Sequence, residues 1–237
     1  MSIDRTIDQV PFLSAEKVEN LAGELREKAN CINLINADEV IARVLEYLKN
    51  NHHIHIDLNA DMGKDLSGKL IVGMYNFNPP AIMVNQELLT PTSKPFTIGH
   101  EIGHCILHRN VTIRQEDYDK ESLIDTEYDW AKGRIKITTG RDRLEWQANR
   151  FSASLLMPAI DFINGVKGIQ RKIGINRNFG QVYLSDATSI RDFEIIKNTL
   201  SNIFGVSPTA IEFRMKDLSL IFDLRRSRTS HISTIYD

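Results

Sequence analysis

Apolar residues recur at helical spacing through SAEKVENLAGELREKA, at Val18, Leu21, Ala22 and Leu25, and again further on at Val40, Ile41, Val44 and Leu48. The two runs predict amphipathic helices over residues 14–29 and 37–49. Ser14 with Lys17 is an imperfect capping pair for the first, whereas Asn36 followed by Glu39 gives the second a cap and an acid at N3. The period then drops to two. HIHIDLNA (53–60) alternates polar and apolar residues, GKLIVGMYN (68–76) reads as a second strand, and AIMVN (81–85) follows the turn Asn78-Pro79-Pro80 as a third. Connections this short favour a small antiparallel sheet.

A helix over 94–109 comes next, with Ser93 as its expected N-cap and Pro95 tolerated in the first turn. Residues 110–140 break the pattern. Seven acids fall between Glu116 and Asp129 against Lys120 alone, the composition of a solvated excursion. Helical patterns return over 141–157, stopped by Pro158, and over 191–204, stopped by Gly205. Ser207 as cap and Pro208 at N1 open a last helix. Between them lies a Gly- and Asn-containing region with no assigned element. The fold class is α+β: helices packed around a small antiparallel sheet in residues 1–160, then a mostly helical segment, 161–237, with a helix-turn-helix-like hairpin.

Composition narrows the function classes. The 237 residues are 42% hydrophobic and 25% charged, ordinary for a chain that buries a core, and the net charge of -2 gives no reason to expect wholesale nucleic-acid or membrane binding. Charge is uneven, with 15 Lys+Arg against 21 Asp+Glu in residues 1–140 and 14 against 10 in 141–237. Two cysteines in unrelated contexts, Cys31 and Cys105, suit a reducing compartment. The N-terminus has no apolar signal-peptide core, and no run approaches the ~18–20 apolar residues a membrane span needs. A cytoplasmic protein is expected.

The chemistry concentrates in FTIGHEIGHCILH. His100 and His104 are four residues apart, so their imidazoles share a helix face and can converge on one ion. Glu101, rotated by about 100°, can reach a water on that ion without ligating it. This is the HExxH arrangement, with the glutamate as general base; the bland alternative is a buried helix with satisfied core histidines. Tetrahedral zinc needs a third protein ligand. His108 fails as that ligand, because i to i+8 spans about 12 Å on a straight helix, and it is expected to pack or hydrogen-bond beyond the site. EWQAN offers Glu145 as the ligand and, one turn on, Asn149 to hydrogen-bond a ligand imidazole and hold its tautomer. Gly99 and Gly103 each cost about 1 kcal/mol inside a helix. They call for a close approach, by the sheet, by a substrate backbone, or by a neighbouring helix that needs small residues. Cys105 points elsewhere and reads as core.

FTIGHEIGHCILH followed by EWQANRFSASLLMP resembles the ImmA/IrrE family of metallopeptidases, whose second helix reads E-x-x-A-N-x-F-x-A-x-L-L-M-P. Here that is Glu145, Ala148, Asn149, Phe151, Ala153, Leu155, Leu156, Met157 and Pro158, and the likeness covers roughly residues 15–160. The resemblance implies a zincin-like core of the gluzincin type, with one catalytic Zn2+ held by His100, His104 and Glu145 and with Glu101 as base. It also implies a protein substrate, a helix-turn-helix repressor. The interval between His104 and Glu145 is long for the family.

Leu200 to Ile221 has the outline of a helix-turn-helix, a feature family members often carry, which would contact DNA or a DNA-bound repressor. Arg214 and Lys216 are offset by Glu212 and Asp217, which favours a hairpin packed on the core. A peptide substrate is expected to add as a strand along Ala81 to Asn85, with Tyr118, Tyr128 or Tyr183 as candidates to steady the oxyanion. The competing class is a zinc-containing regulator that binds a repressor or DNA without cutting.

Overall fold

The computed structural model describes residues 10–64, 68, 70–109 and 140–224. The acidic stretch 116–129, Tyr118, Tyr128 and the arginines beyond 224 lie outside them.

Ser14 accepts a hydrogen bond from the Lys17 amide and opens α1, Ala15–Lys28, which buries Val18, Ala22 and Leu25. Asn36 accepts from the amides of Asp38 and Glu39 and opens α2, Ala37–His52, with Val40, Ile41, Val44 and Leu48 inward. The capping residues and apolar faces are those the sequence marks. Three short strands follow: β1, His55–Asp57; β2, Gly73–Phe77; and β3, Pro80–Val84.

Their order is β1-β3-β2. β2 and β3 form the antiparallel hairpin, but β1 runs parallel to β3, with His55 opposite Ala81. The sheet is therefore mixed, not antiparallel throughout. Residues 58–79, including β2 itself, separate β1 from β3, long enough for a parallel connection that a count of adjacent loops overlooks. The same order places β3 in the centre, so 81–85 is not an edge onto which a peptide can add.

Helix α3, Lys94–Leu107, lies against β2 and β3 on one side and against α4, Gly140–Leu156, on the other. All of residues 95–105 are buried, as expected for a helix sandwiched between layers. Ser93 stands at its N-cap without a capping bond; the hydroxyl is engaged with Thr90 instead.

Pro158 does end α4, and at once begins α5, Ala159–Lys172, as its N-cap. Then come β4, Val182–Leu184; α6, Ala187–Phe204, ended by Gly205 at φ 71°; α7, Pro208–Asp217; and β5, Ile221–Asp223, parallel to β4. The architecture is α+β, with helices around a small sheet. Among the described residues no helix is long and apolar enough to cross a membrane.

The last hairpin packs back onto the first helix. Arg214 on α7 is fully buried and makes two 2.7 Å bonds to Glu19 of α1, one of 2.8 Å to Asp217, and one of 2.9 Å to the Met157 carbonyl. Burial raises the Glu19 carboxyl, but the Arg214 charge and its hydrogen bonds outweigh this and hold it below its ordinary value. Lys216 pairs with Glu212. Arg214 is thus committed to the interior and is not available to a phosphate backbone.

Candidate metal centre

Two helices build the site, and small residues bring them together. A Cβ added at Gly103 would lie 2.9 Å from the Ala148 carbonyl oxygen and 3.0 Å from its Cα, and one at Gly99 would meet the Ser152 hydroxyl at 2.5 Å. Ser152 in turn donates to the Phe96 carbonyl at 2.8 Å. Of the approaches that could justify these two glycines, the crossing of α3 by α4 is the one found.

That crossing sets the imidazoles of His100 and His104 opposite the Glu145 carboxylate. His100 Nε2 lies 2.9 Å from His104 Nε2 and 3.2 Å from Glu145 Oε2, and His104 Nε2 lies 3.6 Å from Glu145 Oε1. Two ligands about 2.0–2.1 Å from one tetrahedral ion are separated by roughly 3.3 Å, so these spacings suit a shared cation. His100 and His104 are buried, while the Glu145 side chain keeps 24% of its exposure. Glu145 Oε1 is buried and accepts no hydrogen bond among the described residues, a costly state for a carboxylate oxygen unless a cation faces it. These three are the group of His, Cys, Asp and Glu side chains, among the described residues, whose ligand atoms lie within 4.8 Å of one another.

The surroundings orient the rings. His100 Nδ1 contacts Asn149 Oδ1. An amide oxygen only accepts, so His100 Nδ1 carries the proton and Nε2 presents its lone pair toward His104 and Glu145. His108 is not a fourth member. Its Nδ1 sits 3.0 Å from His104 Nδ1, on the far side of that ring from Glu145. Burial, with His100 adding to it, pushes His108 down to about 4 despite the hydrogen bond to Gln147, so this imidazole is neutral.

Glu101 faces the sheet. It is buried, and a Cβ added at Gly73 on β2 would come within 2.7 Å of its Oε1 and 3.2 Å of Thr97 Cγ2. A glycine at the start of β2 thus makes room for this carboxylate between α3 and the sheet, a relation that needs the tertiary fold to be seen. Cys105 is buried near Tyr75, and burial pushes its thiol up to about 11, which leaves it protonated and inert as a nucleophile. Tyr183 donates to Gln181 at 2.6 Å and stacks on Phe222 along β4 and β5, so its hydroxyl is engaged there.

Residues 10–12 also reach this region. Arg143 and Gln147 of α4 donate to the carbonyls of Val10 and Pro11, and Phe12 stacks on Trp146 at 5.6 Å.

The family model described as the IrrE N-terminal-like domain, a peptidase family, matches residues 54–216. The match begins just before β1 and ends within α7, so it takes in the sheet, both helices of the site and the hairpin that carries Arg214. No curated protein matches the chain.

Proposed function

Because the chain belongs to the peptidase family of the IrrE N-terminal-like domain, we propose that it is a zinc-dependent metalloendopeptidase that cleaves a helix-turn-helix transcriptional repressor in the cytoplasm. The observation that carries this reading is the convergence of His100 Nε2, His104 Nε2 and the Glu145 carboxylate, with a second buried carboxylate, Glu101, one residue from His100. His100, His104 and Glu145 would hold the ion, and Asn149 would keep His100 in the tautomer that ligation needs. A zinc ion bound there would supply Lewis acidity toward a peptide carbonyl and toward water.

The residues of the chain do the rest. Glu101, held between α3 and β2, takes the proton of the attacking water and returns it to the leaving amine. The substrate strand lies along the outer edge of β2, which pairs with no strand among the described residues and begins at Gly73, beside Glu101. The repressor as substrate follows the ImmA/IrrE resemblance, and the two free cysteines, both buried, suit a reducing compartment.

The test pairs metal analysis with incubation of the full chain and a candidate helix-turn-helix repressor. One equivalent of zinc and loss of the repressor band are expected, with Glu101→Gln keeping zinc and fold but not cleavage. A wild-type protein that binds the repressor and leaves it intact would replace this reading with the non-cleaving regulator.

A further inference from the structure

Gln147 on α4 is 1% exposed, and its amide is read in one direction only. The Pro11 carbonyl, 2.7 Å from Nε2, cannot donate, so Gln147 gives that bond and turns Oε1 toward His108, 2.9 Å from His108 Nε2. An amide oxygen cannot donate either, so His108 Nε2 holds the proton of this bond. His108 is 1% exposed and its two ring nitrogens face the Gln147 amide oxygen and the His104 ring rather than a carboxylate, so it carries one N–H, which leaves His108 Nδ1 as an acceptor. The contact of 3.0 Å between the Nδ1 atoms of His104 and His108 then has one polarity: His104 Nδ1 donates. His104 Nε2 is thereby left with its lone pair toward His100 and Glu145.

We propose that His108 and Gln147 are positioning residues that fix the Nδ1–H tautomer of His104, in a relay running from the Pro11 carbonyl through Gln147 and His108, and so prepare His104 Nε2 to ligate a divalent cation. The proposal rests on the metal-centre reading above but makes a separate claim about two residues that reading does not use. Asn149 orients His100 in a single step. His104 Nδ1 meets the cap residue of its own helix, His108, itself set by α4 and by the chain at Pro11. Residues 10–12 thereby become part of the support of the site, since without the Pro11 carbonyl the Gln147 amide would be free to turn over.

The experiment uses the full chain, metal-free and then titrated with zinc. Long-range 1H–15N correlation spectra of the metal-free protein under mildly alkaline conditions report which nitrogen of each imidazole carries the proton. The proton is expected on Nδ1 of His104 and Nε2 of His108. A wild-type spectrum with His104 protonated at Nε2 overturns the proposal, whatever the activity.

Zinc affinity is then read by competition with a chromophoric chelator. His108→Phe fills the ring volume without an acceptor, and Gln147→Met removes the acceptor for His108. Each should raise the zinc Kd about 10–100-fold. His108→Gln keeps one acceptor and one donor and should recover most of the loss. Variants within twofold of wild type, or a His108→Gln no better than His108→Phe, refute the relay. Should His108→Phe not fold, Gln147→Met carries the same test from the other end. A wild type that binds no zinc sinks the metal-centre reading instead, and the metal-free spectra still decide the relay.

Discussion

Gly103→Ala sets two effects of known sign against each other. Alanine is favoured over glycine inside a helix by about 1 kcal/mol, so in an open helix the change stabilises. At position 103 the new Cβ would sit 2.9 Å from a backbone oxygen and 3.0 Å from a Cα of Ala148, against an optimum of about 3.5–4.0 Å. Both obstacles are main chain of a packed helix and cannot swing aside, so α3 and α4 must part by about half an ångström. Overpacking of this kind costs roughly 1–3 kcal/mol. Set against the propensity gain, the clash leaves a net loss of about 0–2 kcal/mol. That corresponds to a drop of up to about 8 °C in Tm for a chain of this size. Gly168→Ala is the control: Gly168 lies in α5 and its Cβ would meet nothing within 4 Å, so a gain of about 0.4–1 kcal/mol is expected. Urea unfolding of both variants, with a chelator present so that metal linkage does not contribute, gives the comparison. Zinc affinity of Gly103→Ala should also fall by about tenfold, because the helix that parts carries Glu145. A Gly103→Ala protein as stable as Gly168→Ala would refute the close crossing, and with it the reason Glu145 reaches the histidines.

Two further outcomes follow from the geometry. Gly73→Ala places a Cβ 2.7 Å from Glu101 Oε1. The carboxylate end can move, so stability should change by less than about 1 kcal/mol while repressor cleavage drops about 10²-fold at unchanged zinc content; unchanged cleavage removes Glu101 from that position. Arg214→Ala leaves the Glu19 carboxylate without its guanidinium and Asp217 with Arg150 alone, a loss of about 3 kcal/mol by chemical denaturation. A loss under 1 kcal/mol would show that α7 is not anchored by that pair.

Legibility from the sequence tracked how local each determinant is. The caps Ser14, Asn36 and Ser207 act within three residues of themselves and could be read directly. The i, i+4 spacing of His100 with His104, and of Glu145 with Asn149, fixes shared faces, so the meeting of the two pairs needed only a crossing of two helices. What escaped depends on distant partners. Arg214 looks like a surface cation until Glu19, 195 positions away, is found beside it. Helix α5 was hidden by Asn164, Gly165 and Gly168, which weaken the local helical signal, and by Pro158, which ends one helix while opening the next. The parallel pairing of β1 with β3 depends on where the hairpin folds. Gly73 and Gln147 carry no sequence signal of their own, because each matters through one contact across the fold.

Anomalous diffraction at the zinc edge, from crystals of the full chain loaded with one equivalent of zinc, tests the central claim most directly. A single peak about 2.0–2.3 Å from His100 Nε2, His104 Nε2 and a Glu145 oxygen is predicted. A peak elsewhere on the chain, or one ligated by the histidines with Glu145 turned away, would contradict it.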